Sequence, residues 1–595
     1  MVRYTFSYDN PNAHYISIEV NVPLKPNTEE KLQIHLPSWR PGRYELGNFA
    51  KNMKNFHVLS ENGNPIPVKK ISKDCWEINQ LKSFNTASIF IKYDYYAAEI
   101  NAGSSYLDEK QLYVNPVNCC VFIPEMLNEI HEVELKLHKQ FKLACSLPHQ
   151  GNKLRAKNFD ELADSPFIVS DTIQTFKLNV KDVDFHLHFQ GECWPNFTII
   201  ENDFKAFCTS CINFFDGIHV KEYHFIFQVL PYPFYHGVEH VSNTVIALGP
   251  GYNLMKWDLY KELLGVSCHE LFHTWNVKTI RPLEMLPYDF KKENYARTGF
   301  VYEGFTTYYG DKLLFTSGVF DEKEYFETLE ERLNKHFHNY GRFNLSVADS
   351  SFDTWLDGYV QGAPYRKTSI YDEGCLIAFM LDVYIMSKTQ NKNSLQNVLR
   401  VLYNEFYKKG KGYSEDDIVS IVENVSASFD NAQLACDTKE FFHAYVFGKN
   451  DFRNQLDKSF AYLGLELKAI PNSKCSERIF GFKFITLNNV CTISAVAPES
   501  PAWNKGLFIN DEVLSINGFQ VRNNLEEWLN YFVQKGETIR LIVSKSGSTK
   551  EVFLNSCLQS TVEASEEKTY YPMYKIINTS KEQANKNYIA WSKSE

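Results

Sequence analysis

The stretch Trp257-Asp258-Leu259-Tyr260-Lys261-Glu262-Leu263-Leu264-Gly265-Val266-Ser267-Cys268-His269-Glu270-Leu271-Phe272-His273 decides the fold at the centre of the chain. Leu259, Leu263, Leu264, Val266, Leu271 and Phe272 recur at three and four positions, the stripe of an amphipathic helix that continues toward Val277. A spacing of four puts His269 and His273 on one face, a turn apart, where both imidazoles can grip one small cation. Glu270 projects beside them, within reach of a proton on a water that such a cation acidifies. Two histidines and a glutamate so spaced imply zinc-dependent hydrolysis; the plain alternative is a helix with two exposed histidines.

Catalytic zinc takes three protein ligands and keeps a fourth position open. The carboxylates downstream are Glu284, Asp289, Glu293 and Glu303, and only Glu303 stands in a helical, aromatic-flanked run, Phe300-Val301-Tyr302-Glu303-Gly304-Phe305-Thr306-Thr307-Tyr308-Tyr309. Glu303 is therefore the expected third ligand. A metzincin would need Gly and His where the chain has Asn276 and Thr279, which excludes that group.

Further helical periodicity covers Val301 to Thr316, Glu322 to His338, Tyr371 to Ser387, Leu395 to Tyr407 and Glu415 to Val425, the last with Ser414 as N-cap. With the expected strands Tyr223 to Leu230 and Thr244 to Leu248, residues 200 to 455 read as a mainly helical block. Toward the N-terminus the period changes to two. Ile16, Ile18, Val20 and Val22 alternate with Ser17, Glu19 and Asn21, and similar segments lie at Lys31 to Leu36, Ser88 to Tyr96, Ile130 to Leu137 and Val183 to Phe189. The first 170 or so residues thus read as an all-β sandwich. A second β-rich unit begins near Arg478, with a hairpin signal at Asn517-Gly518. The last thirty residues are polar, with a short helix expected over Lys581 to Trp591. The fold class is multidomain α+β, divided at 1–170, 171–460, 461–560 and 561–595.

Composition narrows the function. The chain has 595 residues, 44% hydrophobic and 23% charged, which is globular and leaves a large core to bury. Its 62 Lys+Arg against 72 Asp+Glu leave a net charge of −10, so no broad basic surface offers itself to nucleic acid or an anionic membrane. No apolar run has the length of a membrane helix, and the start at Met1-Val2-Arg3-Tyr4-Thr5-Phe6 lacks the apolar core of a secretion signal. A cytoplasmic location is expected, or a periplasmic or secreted one had a leader been removed. Thirteen scattered Cys point to reduced thiols.

The run His269-Glu270-Leu271-Phe272-His273-Thr274-Trp275-Asn276-Val277-Lys278, then Arg281-Pro282 and Glu303-Gly304-Phe305-Thr306, resembles the M61 family of glycyl aminopeptidases, gluzincins related to the M1 aminopeptidases. Pro37-Ser38-Trp39-Arg40-Pro41-Gly42-Arg43-Tyr44, Ser350-Ser351-Phe352-Asp353-Thr354-Trp355 and Tyr371-Asp372-Glu373-Gly374 carry the resemblance across nearly the whole chain. It implies an N-terminal β domain, a thermolysin-like catalytic domain and a C-terminal PDZ domain. It implies one zinc ion per chain and removal of a small N-terminal residue, Gly or Ala. Gly237-Val238-Glu239-His240 resembles the M1 segment that sets a carboxylate against the substrate's α-amino group, which assigns Glu239, helped by Glu303, to the free N-terminus and places Gly237 beside it. Tyr371 matches the tyrosine that donates to the oxyanion. In the PDZ-like unit Phe480-Gly481-Phe482 looks like the loop that takes a peptide's terminal carboxylate; a groove filled by the chain's own tail is the alternative.

Three departures stand out. The interval from His273 to Glu303 is longer than in M1 enzymes. Thr307 stands where thermolysin-like enzymes keep an Asp that orients a ligand, and Glu373 replaces a usual Lys. The spacing of Cys208 and Cys211 reads as buried helical thiols rather than a redox motif, His186 and His188 as the polar face of a strand, and His336 and His338 as pointing apart. The rival functions are a zinc endopeptidase and a catalytically weak, PDZ-containing peptide-binding protein.

Overall fold

In a computed structural model that describes residues 1–25, 30–137, 141–427, 433–555, 569–579 and 582–593, the alternating N-terminal segments are strands with one buried face. Tyr15–Pro23 pairs antiparallel with Ser88–Tyr96 and with Val2–Ser7, inside an eight-stranded sheet. Val2–Ser7 also runs parallel to His131–Leu135. A four-stranded sheet containing Gln111–Val114, Lys142–Cys145 and Phe167–Ser170 completes this β-rich part.

The second sheet docks on the catalytic block. There β1 (Gln174–Val180), β2 (Val183–Gln190), β3 (Glu222–Val229), β4 (Phe234–Glu239) and β5 (Asn243–Gly249) form one sheet in the order β1-β2-β3-β5-β4. Tyr113, Ala144 and Ile168 from the first part pack against Ile226, Val238, Val245 and Ala247. Fully burying a side chain such as Ile or Val is worth roughly 1.5–3 kcal/mol, so this contact fixes the two units together. Asp164 pins its edge: the buried carboxylate accepts from Lys278 Nζ at 2.6 Å and from the Val241 N–H at 2.7 Å, and lies 3.1 Å from His240 Nδ1.

The opposite face of the sheet carries the helices α1 (Phe197–Phe214), α2 (Trp257–His273), α3 (Thr306–Thr316), α4 (Glu322–His338) and α5 (Asp372–Lys388). Ser414 caps Glu415–Ser426 through a capping box with Asp417. Gly237, Val238 and Glu239 belong to edge strand β4, and one expectation changes here. The helix expected from Val301 begins instead as a π-turn, Phe300–Phe305.

The C-terminal β unit has β6 (Phe482–Leu487) at the edge of its sheet and α6 (Leu525–Gln534) in its core. It is preceded by a strand earlier than expected, Leu465–Ile470, which pairs with Met573–Asn578. The tail helix is Glu582–Ser592, whose Trp591 is buried and donates to Tyr308 OH at 2.9 Å. The expected boundary at 560/561 lies outside the described residues. No described helix is long and apolar enough to cross a membrane.

Candidate active site

Helix α2 presents its last turn to the cleft, so His269 and His273 share one face as their spacing requires. The Nε2 atoms lie 3.0 Å apart. Glu303 Oε2 is 3.3 Å from His273 Nε2 and 3.9 Å from His269 Nε2. Donors held tetrahedrally at about 2.0–2.1 Å from a zinc ion are roughly 3.3 Å apart, so the three side chains fit such an ion. The chemistry of the set, two imidazoles and a carboxylate, fits as well.

Glu303 reaches this point because it sits in the π-turn, a break in helical register that re-aims one side chain. The turn is wedged against α5 through two glycines. A Cβ on Gly304 would run into the backbone of Gly374, and one on Gly374 into Gly304 and Phe300. Asn276 ties the other side, donating to Val301 O at 2.8 Å and to Thr306 Oγ1 at 3.1 Å. Its own carbonyl accepts from His273 Nδ1 at 2.6 Å, which fixes the tautomer and leaves Nε2 free for a cation. Thr307 does not orient a histidine: its hydroxyl donates to Glu303 O at 2.9 Å within its own helix.

Burial drives the proton affinities here. Burial pushes the Glu270 carboxyl well above the usual carboxylate range, and the neighbouring Glu239 and Glu303 add to the rise against the pull of His273. At His273 burial works downward but is outweighed by Glu303, Glu239 and Glu270, which carry the imidazole up to about 10. A cation replaces that proton when it binds, so loading releases protons.

Three carboxylates converge on the site. Glu239, Glu270 and His273 each place a ligand-type atom within 4.8 Å of the others'. Glu239 ends β4, is 3% exposed, and its Oε1 has no hydrogen-bond partner; neither has Glu270 Oε2. Gly237 leaves room for the Glu270 carboxylate, since a Cβ there would run into Glu270 Oε1 and lie 2.7 Å from Val266 Cγ2. Tyr371 stands at the head of α5, its phenol hydrogen-bonded to Tyr359 and pushed upward by burial and then by Glu303. Glu373 turns away from this phenol and pairs with His336 Nδ1 at 2.7 Å, so its charge is already partnered.

The N-terminal part supplies a wall that sequence reading left without a role. Trp39 anchors the loop, packing edge-on against Trp355 at 5.2 Å and donating to Asp289 O at 2.8 Å. Gly42 then rests on Glu239 Oε2. Tyr44 hydrogen-bonds the Glu303 carboxylate and donates its backbone N–H to Tyr359 OH at 3.1 Å. The one signal available beforehand was the Trp-Arg-Pro-Gly-Arg-Tyr run, whose aromatic and glycine content marks a packed turn but not its target.

Other motifs resolve differently. Phe480 and Phe482 are buried, and the Gly481 N–H donates to Ser476 O at the end of a π-turn, so this loop's amides are not all free. His186 and His188 do not lie on an exposed polar face. With His224 they form a stack under the N-terminal part, centroids 4.5 to 6.0 Å apart and planes within 9°. His188 Nε2 lies 3.1 Å from His224 Nδ1. His188 Nδ1 is also 3.0 Å from Thr175 Oγ1, whereas His186 Nε2 is buried without a hydrogen-bond partner. Cys208 and Cys211 are buried in α1, and they are among eleven cysteines found as free thiols.

Comparison with known proteins matches residues 3–171 to the peptidase M61 N-terminal domain, 262–377 to M61 glycyl aminopeptidase and 492–545 to a PDZ domain. Among solved structures, an aminopeptidase N family protein of Idiomarina loihiensis is 25% identical and superposes with a TM-score of 0.86 over 99% of this chain and 100% of its own. An M1 zinc metallopeptidase of Deinococcus radiodurans is 12% identical, with a TM-score of 0.46 over 76% of this chain and 94% of its own. A variant of that enzyme bound to a Tyr-Ser-Ala substrate gives 12% and 0.48 over the same shares. No curated protein matches.

Proposed function

We propose that this zinc metallopeptidase, whose residues 3–171 and 262–377 match the two M61 peptidase models, is an aminopeptidase of that family, cutting one residue at a time from a free N-terminus. His269, His273 and Glu303 hold one zinc ion in this reading. When bound, the ion supplies Lewis acidity that polarises the scissile carbonyl and acidifies water. Glu270, already high in proton affinity, takes the proton of the attacking water and returns it to the leaving amine. Tyr371 donates to the oxyanion as charge develops on it. Glu239, with Glu303 beyond it, binds the α-ammonium.

One observation carries the exopeptidase reading: a buried carboxylate oxygen, Glu239 Oε1, stands without a partner beside the base and the ligands. An unpaired buried charge of this kind is costly unless a ligand completes it, and an ammonium is the complement. The family's description supports Gly as the residue removed, and Ala joins it in this reading as the next smallest side chain. For the PDZ unit, the edge position of β6 supports capture of an extended peptide; a terminal carboxylate would enter the Phe480-Gly481-Phe482 loop once the Gly481 N–H leaves Ser476. Hydrolysis of a peptide is compared with that of its N-acetylated form. The free-amine form alone should be cut, and equal rates would establish an endopeptidase instead.

A further inference from the structure

Side chains on β2 and β3 alternate between the two faces of the sheet. Phe185, Leu187 and Phe189, with Tyr223, Phe225 and Phe227, enter the core under the helices. His186 and His188 therefore share the other face with Glu222, His224 and Ile226, and the parallel register sets His186 directly beside His224. Ile226 packs into the contact with the N-terminal part, so the imidazoles stand at the margin of an apolar contact. A ring nitrogen left there without a partner is costly for the fold.

The nitrogens divide unevenly. His188 uses both of its own, Nδ1 at 3.0 Å from Thr175 Oγ1 and Nε2 at 3.1 Å from His224 Nδ1. His186 Nε2 is buried with no hydrogen-bond partner. Glu222 Oε2 lies 4.0 Å from that atom and 3.9 Å from His224 Nε2, too far to bond to either. Two donors about 2.0–2.1 Å from one zinc ion stand roughly 3.3 Å apart at tetrahedral angles, and up to about 4.1 Å apart as the angle opens. The separations of 3.1, 3.9 and 4.0 Å fall close to that range, and one nitrogen from each histidine lies within 4.8 Å of the others'. The ring planes are within 9° of one another, so sharing an ion turns the rings about Cβ–Cγ, a broad torsion for histidine. Burial lowers the proton affinity of all three rings, which leaves them in the neutral form that ligates metals. Lys177, opposite His186 on β1, does not compete for Glu222, because it pairs with Asp184 at 2.8 Å.

We propose that His186, His188 and His224, completed by Glu222, form a second metal site that takes a divalent transition cation such as Zn²⁺, Ni²⁺ or Cu²⁺. Three imidazoles and one carboxylate suit these ions and not Ca²⁺ or Mg²⁺, which take oxygen donors. Four protein donors close the coordination sphere, so the ion is structural and staples β2 to β3. Glu222, whose side chain is 62% exposed, marks the way in from solvent. The site lies on the face of the sheet away from α2, and its existence does not depend on the aminopeptidase reading.

The full chain is stripped of metal with a chelator and reloaded with Zn²⁺ alone. By elemental mass spectrometry wild type should take up about two ions per chain, and the double variant His269→Asn/His273→Asn about one. Adding His224→Asn to that double variant should weaken the remaining uptake at least about hundredfold, more than the loss of a merely orienting group costs. Cu²⁺ bound to the double variant should show nitrogen superhyperfine splitting in its electron paramagnetic resonance spectrum, and replacing His186 and His224 should remove it. A single ion in wild type with none in the double variant overturns the proposal. So does a second ion whose affinity survives His224→Asn, which would be an adventitious surface contact. If His224→Asn does not fold, Glu222→Gln decides from its exposed position: the second ion should bind at least about tenfold more weakly, and unchanged affinity together with a spectrum free of nitrogen splitting sinks the site.

Discussion

Replacing Glu239 by Gln isolates the charge at the amine end of the cleft. The side chain is nearly isosteric, and Gly42 packs on Oε2 without asking for its charge, so the loop that carries Arg40 stays in place. What is lost is one acceptor and one negative charge, facing a substrate ammonium in a pocket where Glu239 is 3% exposed. A charge-assisted hydrogen bond contributes about 1.5–3 kcal/mol, and two unit charges about 4 Å apart at an effective dielectric of about 20 attract by about 4 kcal/mol. Glu303 and Glu270 keep part of the negative field, so the net loss should be about 2–4 kcal/mol. At 1.4 kcal/mol per tenfold this is roughly 30- to 1000-fold in kcat/KM. The assay pairs a free-amine substrate with its analogue bearing a hydroxyl in place of the amine. The variant should lose activity on the first, stay within about threefold of wild type on the second, and retain its zinc by mass spectrometry. A loss below threefold on the amine, or an equal loss on both, would refute the assignment.

Tyr371→Phe removes one oxyanion donor and should lower kcat by about 10²–10³-fold with KM nearly unchanged; steady-state kinetics on the zinc-loaded variant check it, and a change confined to KM would place the phenol in substrate binding instead. Gly304→Ala forces a methyl into the Gly374 backbone and should spread the Glu303 turn from α5, lowering zinc affinity at least about tenfold in chelator competition. Unchanged affinity would show the turn to be pliant. At Asp164 burial pushes the carboxyl up, but Lys278 and His240 outweigh it and hold it below the ordinary range. A depressed folded value means that its stabilisation is complete above the unfolded value of about 3.9 and is lost as pH falls below it. Asp164→Asn should therefore cost about 3 kcal/mol at neutral pH, because it leaves Lys278 buried without a counter-charge, and the gap in urea midpoint from wild type should begin to narrow below about pH 4 and close only as pH falls through the depressed folded value. A gap that persists at low pH would place the effect in packing.

Where the residues of a function lie in one element or in one characteristic run, the sequence was legible. His269, Glu270 and His273 follow from helical spacing alone, and Glu303 from its aromatic, helical surroundings, although the π-turn that aims it was not readable, because one extra residue per turn leaves no mark in hydrophobic period. Thr307 and Glu373 stand out in the sequence only as departures from the related enzymes' pattern. Their side chains are spent on Glu303 O and on His336, and Asn276 does the orienting through a backbone carbonyl, which every residue has and no composition reveals.

The amino-acid order by itself determined the three textures of the chain and the one helix turn that carries His269, Glu270 and His273, since each depends on periodicities of two or 3.6 residues within a single segment. Only the tertiary structure decided that Gly42 and Tyr44 form a wall of the cleft some two hundred residues away in sequence, that Glu239 ends an edge strand, and that His186, His188 and His224 stack on one face of the central sheet. The physical reason is that such contacts arise when separate apolar faces dock, and the partner of a buried charge is set by which face docks where.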